Sequence, residues 1–344
     1  MNRAQEQNIV VIARAPGKII LSGEHSVVYG RPALALAINR FAETTITCQP
    51  GYGIWFEFPN DKLKHITTMR GLQELKTLIA KRYRKFTVGK YQIKDVIHSP
   101  LELIQYAFIY LVENLFLLIK GGLKIQVETT LPIGCGMGAS AAVILSLIHA
   151  LVNYCGRTLT IDKYLYFGRE IENLQHGRSS GLDLFLSLHG GCYFFVAGDA
   201  NKRNLPSIPF VLVNTGKPKT STGECVEVVA KHLQNSIIAD EFSQVAVAMD
   251  LAVQQNDLEK IKQCVRENNE LLKYIEVVPK RVADFIMAIE ARGNAAKVSG
   301  AGAISGNNAG IVLVVGENEI LDIVAEYGYE ILLVQGESRG LYLV

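Results

Sequence analysis

The chain has 344 residues, of which 49% are hydrophobic and 20% are charged, and its formal net charge is +2. This length and composition are typical of a globular protein with a sizeable core, and the length favours two domains over one. The small net charge, with no block rich in lysine and arginine, argues against a nucleic-acid-binding protein.

The cysteines and the most apolar stretch both argue for a cytoplasmic protein. Six cysteines are scattered singly without a CxxC pair, which predicts reduced thiols rather than a zinc site or a disulfide framework. The apolar part of the N-terminus is too short and too interrupted for a signal peptide. Residues 101–119 are the most apolar, but Glu102, Gln105 and Glu113 within them favour a buried helix over a membrane span.

In the first half of the chain, β-branched runs that end at glycine or proline predict strands, and capped apolar periodicity predicts helices. The predicted elements are a strand and Pro-Gly turn over residues 8–17, a strand over 52–58, a long apolar helix from about Pro100, a strand over 122–134, buried and capped helices over 140–153 and 160–177, and a strand over 190–198.

The second half alternates strands and helices, which predicts an α+β domain. Its predicted elements are a strand over 210–216, a helix from Thr222, helices near 238–255, 257–275 and 279–292, a strand over 310–316, a helix over 318–328 and a strand over 330–335. A polar segment with two prolines, residues 201–209, separates the halves, so we place the domain boundary after residue 200.

Three glycines precede one of the predicted helices in the sequence LPIGCGMGAS, where Gly134, Gly136 and Gly138 alternate with other residues. Glycines let a backbone turn sharply and approach a ligand, and the start of a helix favours an anion such as phosphate. The loop has neither the Gly-Lys-Ser/Thr ending of a P-loop nor the spacing of a Rossmann fingerprint. A phosphate-binding loop of another kind and a tight turn before a core helix both remain open.

Three other stretches accompany this loop: APGKIILSGEHSVVYG (15–30), HGRSSGLD (176–183) and KVSGAGAISG (297–306). Together, and in this order, the four resemble the motifs of the GHMP kinase superfamily, and the resemblance covers most of the chain. Because Ser26 and Val27 follow Gly-Glu-His, the first motif is most similar to that of the mevalonate kinases. The resemblance implies a ribosomal-protein-like α/β domain over 8–200 and a ferredoxin-like α+β domain over 201–344.

The resemblance also implies an ATP-dependent kinase that uses Mg²⁺, phosphorylates a small-molecule hydroxyl and acts in isoprenoid biosynthesis, with mevalonate the favoured acceptor. Asp183 resembles the catalytic aspartate, which acts as a base or orients the hydroxyl, and Lys18 resembles its paired lysine. Ser140 and Glu172 resemble magnesium ligands. The residues that would wrap the ATP phosphates are Gly134, Cys135, Gly136, Met137, Gly138, Ala139 and Ser140. Such oxygens, N–H dipoles and a lysine neutralise and position a transferring phosphoryl group.

On the acceptor side the resemblance implies contacts from Glu24, His25 and either Ser221 or Thr222, besides Lys18 and Asp183. The carboxylate of mevalonate would need a cationic or N–H partner, for which His25 and Arg14 are the candidates. The expected partners are this acceptor and ATP, without nucleic acid or membrane, and a homodimer is a further expectation.

Two motifs depart from the family pattern. Gly302 is followed by Ala303, Ile304 and Ser305 instead of further glycines, and the motif around Asp183 lacks the frequent Asn-Pro and the asparagine after the aspartate. The alternatives are therefore another GHMP kinase, a decarboxylase of the same fold, and a catalytically inactive sensor that binds ATP and substrate.

Overall fold

The computed structural model describes residues 9–177, 179–196, 199–233 and 236–344, and within them the chain forms two β-sheets and ten α-helices. The elements up to residue 203 are β1 (Val10–Ser22), β2 (Ala33–Gln49), β3 (Ile54–Phe58), β4 (Leu63–Thr67), α1 (Met69–Thr87), α2 (Pro100–Asn114), β5 (Gly122–Thr129), α3 (Ala139–Tyr154), α4 (Ile161–His176), α5 (Leu182–His189), β6 (Cys192–Val196) and β7 (Asp199–Arg203).

The remaining elements alternate helices and strands, as predicted. They are β8 (Phe210–Asn214), α6 (Thr222–Leu233), α7 (Ser236–Gln255), α8 (Leu258–Tyr274), α9 (Lys280–Ala291), β9 (Ala295–Ser299), β10 (Ile311–Val315), α10 (Leu321–Glu326), β11 (Glu330–Leu332) and β12 (Tyr342–Leu343). Residue 8, where a predicted strand and domain begin, and residues 197–198, which end another predicted strand, lie outside the described residues.

The first sheet has the order β12-β1-β2-β5-β3-β4, and β6 and β7 extend it from β2. The strand β1 pairs along its length with β2, and helix α3 packs on both strands. Nearly all of α3 is buried, because alanine, leucine, isoleucine and valine surround it on every side. This buried helix confirms the prediction and fixes the position of the glycine loop in front of it.

The predicted turn at Pro16 and Gly17 is wrong, because β1 continues through both residues to Ser22 with only a register shift between them. Gly17 is needed for a close approach instead. A Cβ atom there would lie 2.3 Å from Cδ2 of Leu131 and 2.8 Å from the carbonyl oxygen of Met137. The next amide, that of Lys18, donates a hydrogen bond to the same Met137 oxygen at 2.9 Å. The glycine therefore lets β1 contact the loop before α3.

The second sheet has the antiparallel order β11-β8-β10-β9. Its strands follow each other along the chain as strand, helices, two strands, helix and strand, which is the ferredoxin-like arrangement. Buried side chains from β8, β9, β10, α9 and α10 form a core of their own. The expected α+β fold class, with a ferredoxin-like second half, is confirmed.

The end of the chain returns to the first sheet. In β12, Leu343 pairs with Ala13 of β1, and before it the amide of Leu341 donates to the carbonyl oxygen of Leu188 at 3.1 Å. At the other side of the linker, β7 spans residue 200 and pairs with β6. The division into domains over 8–200 and 201–344 stays a prediction.

The long apolar helix expected from about Pro100 is α2, and Ser99 caps it by accepting a hydrogen bond from the amide of Glu102 at 3.2 Å. Eight of its residues from Leu103 to Val112 that face the core are apolar or aromatic and buried. Among the residues described, no helix combines the length and apolarity needed to cross a bilayer.

Candidate active site

The loop between β5 and α3 is built on left-handed glycines. Gly134, Gly136 and Gly138 have φ values of 75°, 91° and 70°, which other residues adopt only with strain. Gly138 is also the residue that caps α3, and no side chain accepts a hydrogen bond from the first amides of that helix. Free amides at a helix N-terminus bind anions, so this end of α3 can hold a phosphate group.

A cavity of about 210 Å³ opens in front of this helix end. Gly134, Gly136, Gly138, Ala139 and Ser140 line it. The two other residues predicted for the loop point elsewhere: Cys135 and Met137 are buried, with only 4% and 1% of their surface exposed. Their side chains belong to the core, so these two residues can offer a ligand only their backbone.

Lys18 and Asp183 meet at the inner end of the cavity. The Nζ atom of Lys18, on β1, lies 3.3 Å from Oδ1 of Asp183, and the lysine side chain is 4% exposed. Asp183 lies in the first turn of α5, after Gly181, which caps the helix in a left-handed conformation. A Cβ atom at Gly138 would lie 2.9 Å from Cγ of Lys18 and 3.6 Å from Oδ2 of Asp183. The structure therefore brings together the predicted lysine, the predicted aspartate and the helix end.

Glu172, on α4, lines the same cavity and is 3% exposed. The hydroxyl of Ser179 donates a hydrogen bond to its Oε2 atom. Burial, and after it the negative charge of Asp183, raises the pKa of Glu172 to about 7. Two carboxylates thus share a poorly solvated space, an arrangement that a cation would stabilise.

Ser140 lies in the first turn of α3, and its hydroxyl donates a hydrogen bond to Oε1 of Gln175 at 2.7 Å. Gln175 is a cavity residue that the motifs do not indicate. It follows Glu172 by three positions on α4, and residues with this spacing share one face of a helix. The helical spacing from Glu172 is the signal that could have found it.

Glu24 forms a buried ion pair with Lys297, the residue with which the third glycine motif begins. The two side chains are 1% and 0% exposed, and Oε2 of Glu24 has no hydrogen-bond partner. Burial lowers the pKa of Lys297, while the charge of Glu24 acts in the opposite direction. Lys297 was not predicted as a site residue, since a lysine ahead of a glycine turn resembles any exposed lysine until its burial is known.

His25 has a left-handed backbone with φ of 59°, and its Nε2 atom lies 3.1 Å from the carbonyl oxygen of Ala301. Burial lowers its pKa to about 4, so the ring is neutral at pH 7. Because the carbonyl can only accept, Nε2 carries the ring proton and Nδ1 does not. His25 lines the cavity but offers no cation to a carboxylate there.

The other candidate partner of a carboxylate, Arg14, is not brought to the cavity. Its guanidinium pairs with Glu43 on the neighbouring strand. The hydroxyl of Ser221 donates to Oε2 of Glu224 at 3.0 Å and accepts from the amide of Glu224 at 3.2 Å, as at the start of a helix. Its neighbour Thr222, and not Ser221, is among the residues that line the cavity.

Comparison with known proteins agrees with this geometry. A family profile described as "GHMP kinases N terminal domain" matches residues 102–191. The mevalonate kinase of Thermococcus sibiricus is 28% identical over 306 residues, which cover 85% of this chain and 86% of that protein.

Two solved structures show the same fold along nearly the whole chain. A crystal structure of the Methanococcus jannaschii mevalonate kinase has a TM-score of 0.76 at 22% identity and covers 96% of this chain and 99% of the other. A structure of L. major mevalonate kinase in complex with R-mevalonate has a TM-score of 0.69 at 19% identity, with coverage of 99% and 100%.

The loop, the lysine–aspartate pair and these matches define an ATP-dependent kinase that acts on a small molecule, and the chain belongs to the GHMP kinase family. Within that family it is most similar to the mevalonate kinases.

Proposed function

We propose that this protein transfers the γ-phosphoryl group of ATP to the primary hydroxyl of mevalonate, which yields 5-phosphomevalonate and ADP. The observation that carries the proposal is the 3.3 Å approach of Lys18 Nζ to Asp183 Oδ1 beside the amino end of α3. The curated relatives, which are named mevalonate kinases, support this acceptor.

In this proposal the phosphates lie against Gly134–Ser140, where amide groups neutralise negative charge without reorganising. Asp183 accepts a hydrogen bond from the acceptor hydroxyl and holds it in line with the γ-phosphorus, and it receives the proton as the new P–O bond forms. The buried ammonium of Lys18 keeps this carboxylate ionised and stabilises the charge that develops on the transferred group.

Mg²⁺ is the cation that the oxygen donors of the cavity fit. Ser140 and Glu172 supply a hydroxyl and a carboxylate, and the raised pKa of Glu172 beside Asp183 reflects uncompensated negative charge. In the described part of the chain no three or more His, Cys, Asp or Glu residues are grouped as a metal site. This agrees with an ion held by few protein ligands, phosphates and water, which would supply charge neutralisation for ATP.

Glu24, His25 and Thr222 would form the acceptor end of the cavity, with Ser221 remaining a prediction from the motif. The Oε2 atom of Glu24 is buried without a partner and lines this space, so it can accept a hydrogen bond from a substrate hydroxyl. A cytoplasmic location and a homodimer also remain predictions.

A substrate panel tests the proposal. Release of ADP is measured with R-mevalonate, 5-phosphomevalonate, galactose and homoserine, and the product is identified by phosphorus NMR. We expect kcat/KM for mevalonate to exceed that for the other acceptors by at least about 100-fold. Asp183→Ala, purified in parallel, controls for contaminating kinases.

The same assay separates the alternatives. Turnover of another acceptor would overturn mevalonate as the substrate, and release of carbon dioxide with ADP would identify a decarboxylase. Nucleotide binding without any turnover would identify a sensor. The intact Lys18–Asp183 pair argues against a sensor, because an inactive relative has no need to keep both side chains in register.

A further inference from the structure

Two lysines of the segment between β8 and α6 lie against the two glycine-rich turns of the site. A Cβ atom at Gly134 would lie 3.5 Å from Cε of Lys217, and one at Gly306 would lie 3.1 Å from Cδ of Lys219. Both lysines are exposed. Within the described ranges neither has a carboxylate at ion-pair distance.

Backbone and side-chain hydrogen bonds hold this segment in place. The hydroxyl of Thr215 donates to the carbonyl oxygen of Gly310 at 2.8 Å and accepts from the amide of Ala309 at 3.0 Å. The amide of Ile311, next along the chain, donates to the carbonyl oxygen of Cys135 at 3.1 Å. Lys217 is thus fixed relative to the glycine loop through two short connections and is not a freely moving surface lysine.

The glycine loop has no lysine of its own, because Ala139 and Ser140 follow Gly138 where a P-loop has lysine. We propose that Lys217 binds the nucleotide's polyphosphate and supplies this missing cation from the second half of the chain. The inference rests on the proposed function in one respect, namely that the phosphates lie along Gly134–Ser140.

Charge and position both favour Lys217 over Lys219. The positive charge of Lys217 lowers the pKa of the neighbouring Cys135 thiol, against the larger effect of burial that raises it to about 11, so the ammonium lies close to the loop. Gly134 lines the cavity, whereas Gly306, under Lys219, is not among the lining residues. Lys219 therefore offers a matched control with the same charge on the same segment.

The test measures the dissociation constants of ADP and of inorganic tripolyphosphate by calorimetry for the wild type, Lys217→Gln, Lys217→Arg and Lys219→Gln. We expect Lys217→Gln to weaken both ligands by about tenfold, since a hydrogen bond to a charged group is lost. Lys217→Arg should stay within about threefold and Lys219→Gln within about twofold of the wild type, because each keeps a cation over Gly134.

Two further readouts separate binding from folding. Raising the salt concentration should weaken tripolyphosphate less in Lys217→Gln than in the wild type, because one screened ion pair is already gone. The melting temperature without ligand should change by no more than about 2 °C, as for an exposed substitution.

The inference is overturned if the wild type binds neither probe, if Lys217→Gln binds both as tightly as the wild type, or if Lys219→Gln is equally weakened. Failure of mevalonate as acceptor is a separate outcome. Tripolyphosphate binding that depends on Lys217 in a protein without mevalonate kinase activity would overturn the proposed acceptor and support the role of Lys217.

Discussion

Gly136, in the loop before α3, and Gly300, in the turn after β9, contact each other through their backbones. A Cβ atom at Gly300 would lie 2.8 Å from Cα of Gly136, and one at Gly136 would lie 2.7 Å from the carbonyl oxygen of Ser299. The third glycine motif therefore supports the glycine loop from the second half of the chain. Bulk after Gly302, where the motif departs from its family, does not enter this contact, since Ala303 is buried on the other side against Val277.

Gly300→Ala should disturb both folding and nucleotide binding. Its φ of 101° strains an alanine, and the new methyl group collides with Gly136. We expect a loss of about 2–4 kcal/mol in the free energy of unfolding, measured in urea. Displacing the loop should raise the KM for ATP by about tenfold, since catalytic binding depends on sub-ångström positioning.

Gly156→Ala is the matched control, because Gly156 also has a left-handed φ, of 64°, but no atom lies within 4 Å of its Cβ position. It should lose only the conformational part, about 1 kcal/mol, and keep the KM for ATP. Equal effects of the two substitutions would contradict a role for the contact between the two turns.

Much of the fold could be predicted because periodic apolar segments report burial directly. Helices α2, α3 and α4 follow from their capped or apolar runs. Strand β2 escaped, because its first half is an alanine- and leucine-rich run that is typical of a helix and becomes a strand only by pairing with β1. Helix α5 escaped as well, since its eight residues after Ser-Ser-Gly are too few to show a period.

Asp183→Ala should lower kcat by more than about 100-fold, because the acceptor hydroxyl loses the carboxylate that orients it and takes its proton. The dissociation constant of ATP should stay within about threefold, since the phosphates are held mainly by the glycine loop. Kinetics, calorimetry and thermal unfolding are measured on the same preparation. A parallel loss of folding and turnover would show that Asp183 is structural.

Ser140→Ala should raise the Mg²⁺ concentration needed for half-maximal activity. The substitution removes a hard oxygen donor and leaves α3 with good helix propensity, so the fold should persist. The measurement is turnover against free Mg²⁺ at saturating ATP. Gln175→Ala is the control, because it removes the present partner of the Ser140 hydroxyl while leaving that oxygen available. An unchanged Mg²⁺ dependence in Ser140→Ala would rule out this ligand.

Lys297→Met should lower the free energy of unfolding by about 3–5 kcal/mol, because it leaves the carboxylate of Glu24 buried without its partner. The double variant Glu24→Gln, Lys297→Met should recover at least half of that loss. The exposed pair of Lys273 and Glu270 provides the control, and Lys273→Met should change stability by no more than about 0.5 kcal/mol. If the double variant is less stable than Lys297→Met alone, the ion pair does not explain the loss.

The motifs predicted the members of the site better than their environments. Lys18, Asp183, Glu172 and Ser140 are recognisable because local sequence fixes the turns that carry them. The partnership of Glu24 with Lys297 is not recognisable, since it depends on packing β9 against the end of β1. For the same reason the sequence could not show that His25 is neutral, because its burial comes from a turn near residue 301.

The buried His25 should make stability depend on pH. Its pKa is about 4 in the folded protein and 6.5 in the unfolded chain, so between these values the unfolded state binds more protons. Stability from this group is complete above pH 6.5 and is lost as the pH falls towards 4. His25→Asn removes the titration, and asparagine tolerates the left-handed backbone.

Between pH 7.5 and 4.5 the wild type should therefore lose about 2–3 kcal/mol more unfolding free energy than His25→Asn. Urea unfolding of both proteins at several pH values measures this difference. The remaining histidines, including the buried His176, are present in both proteins and cancel in the comparison. Parallel pH profiles for the two proteins would mean that His25 is protonated as easily in the folded protein as in the unfolded chain, and that its ring faces water or a negative charge.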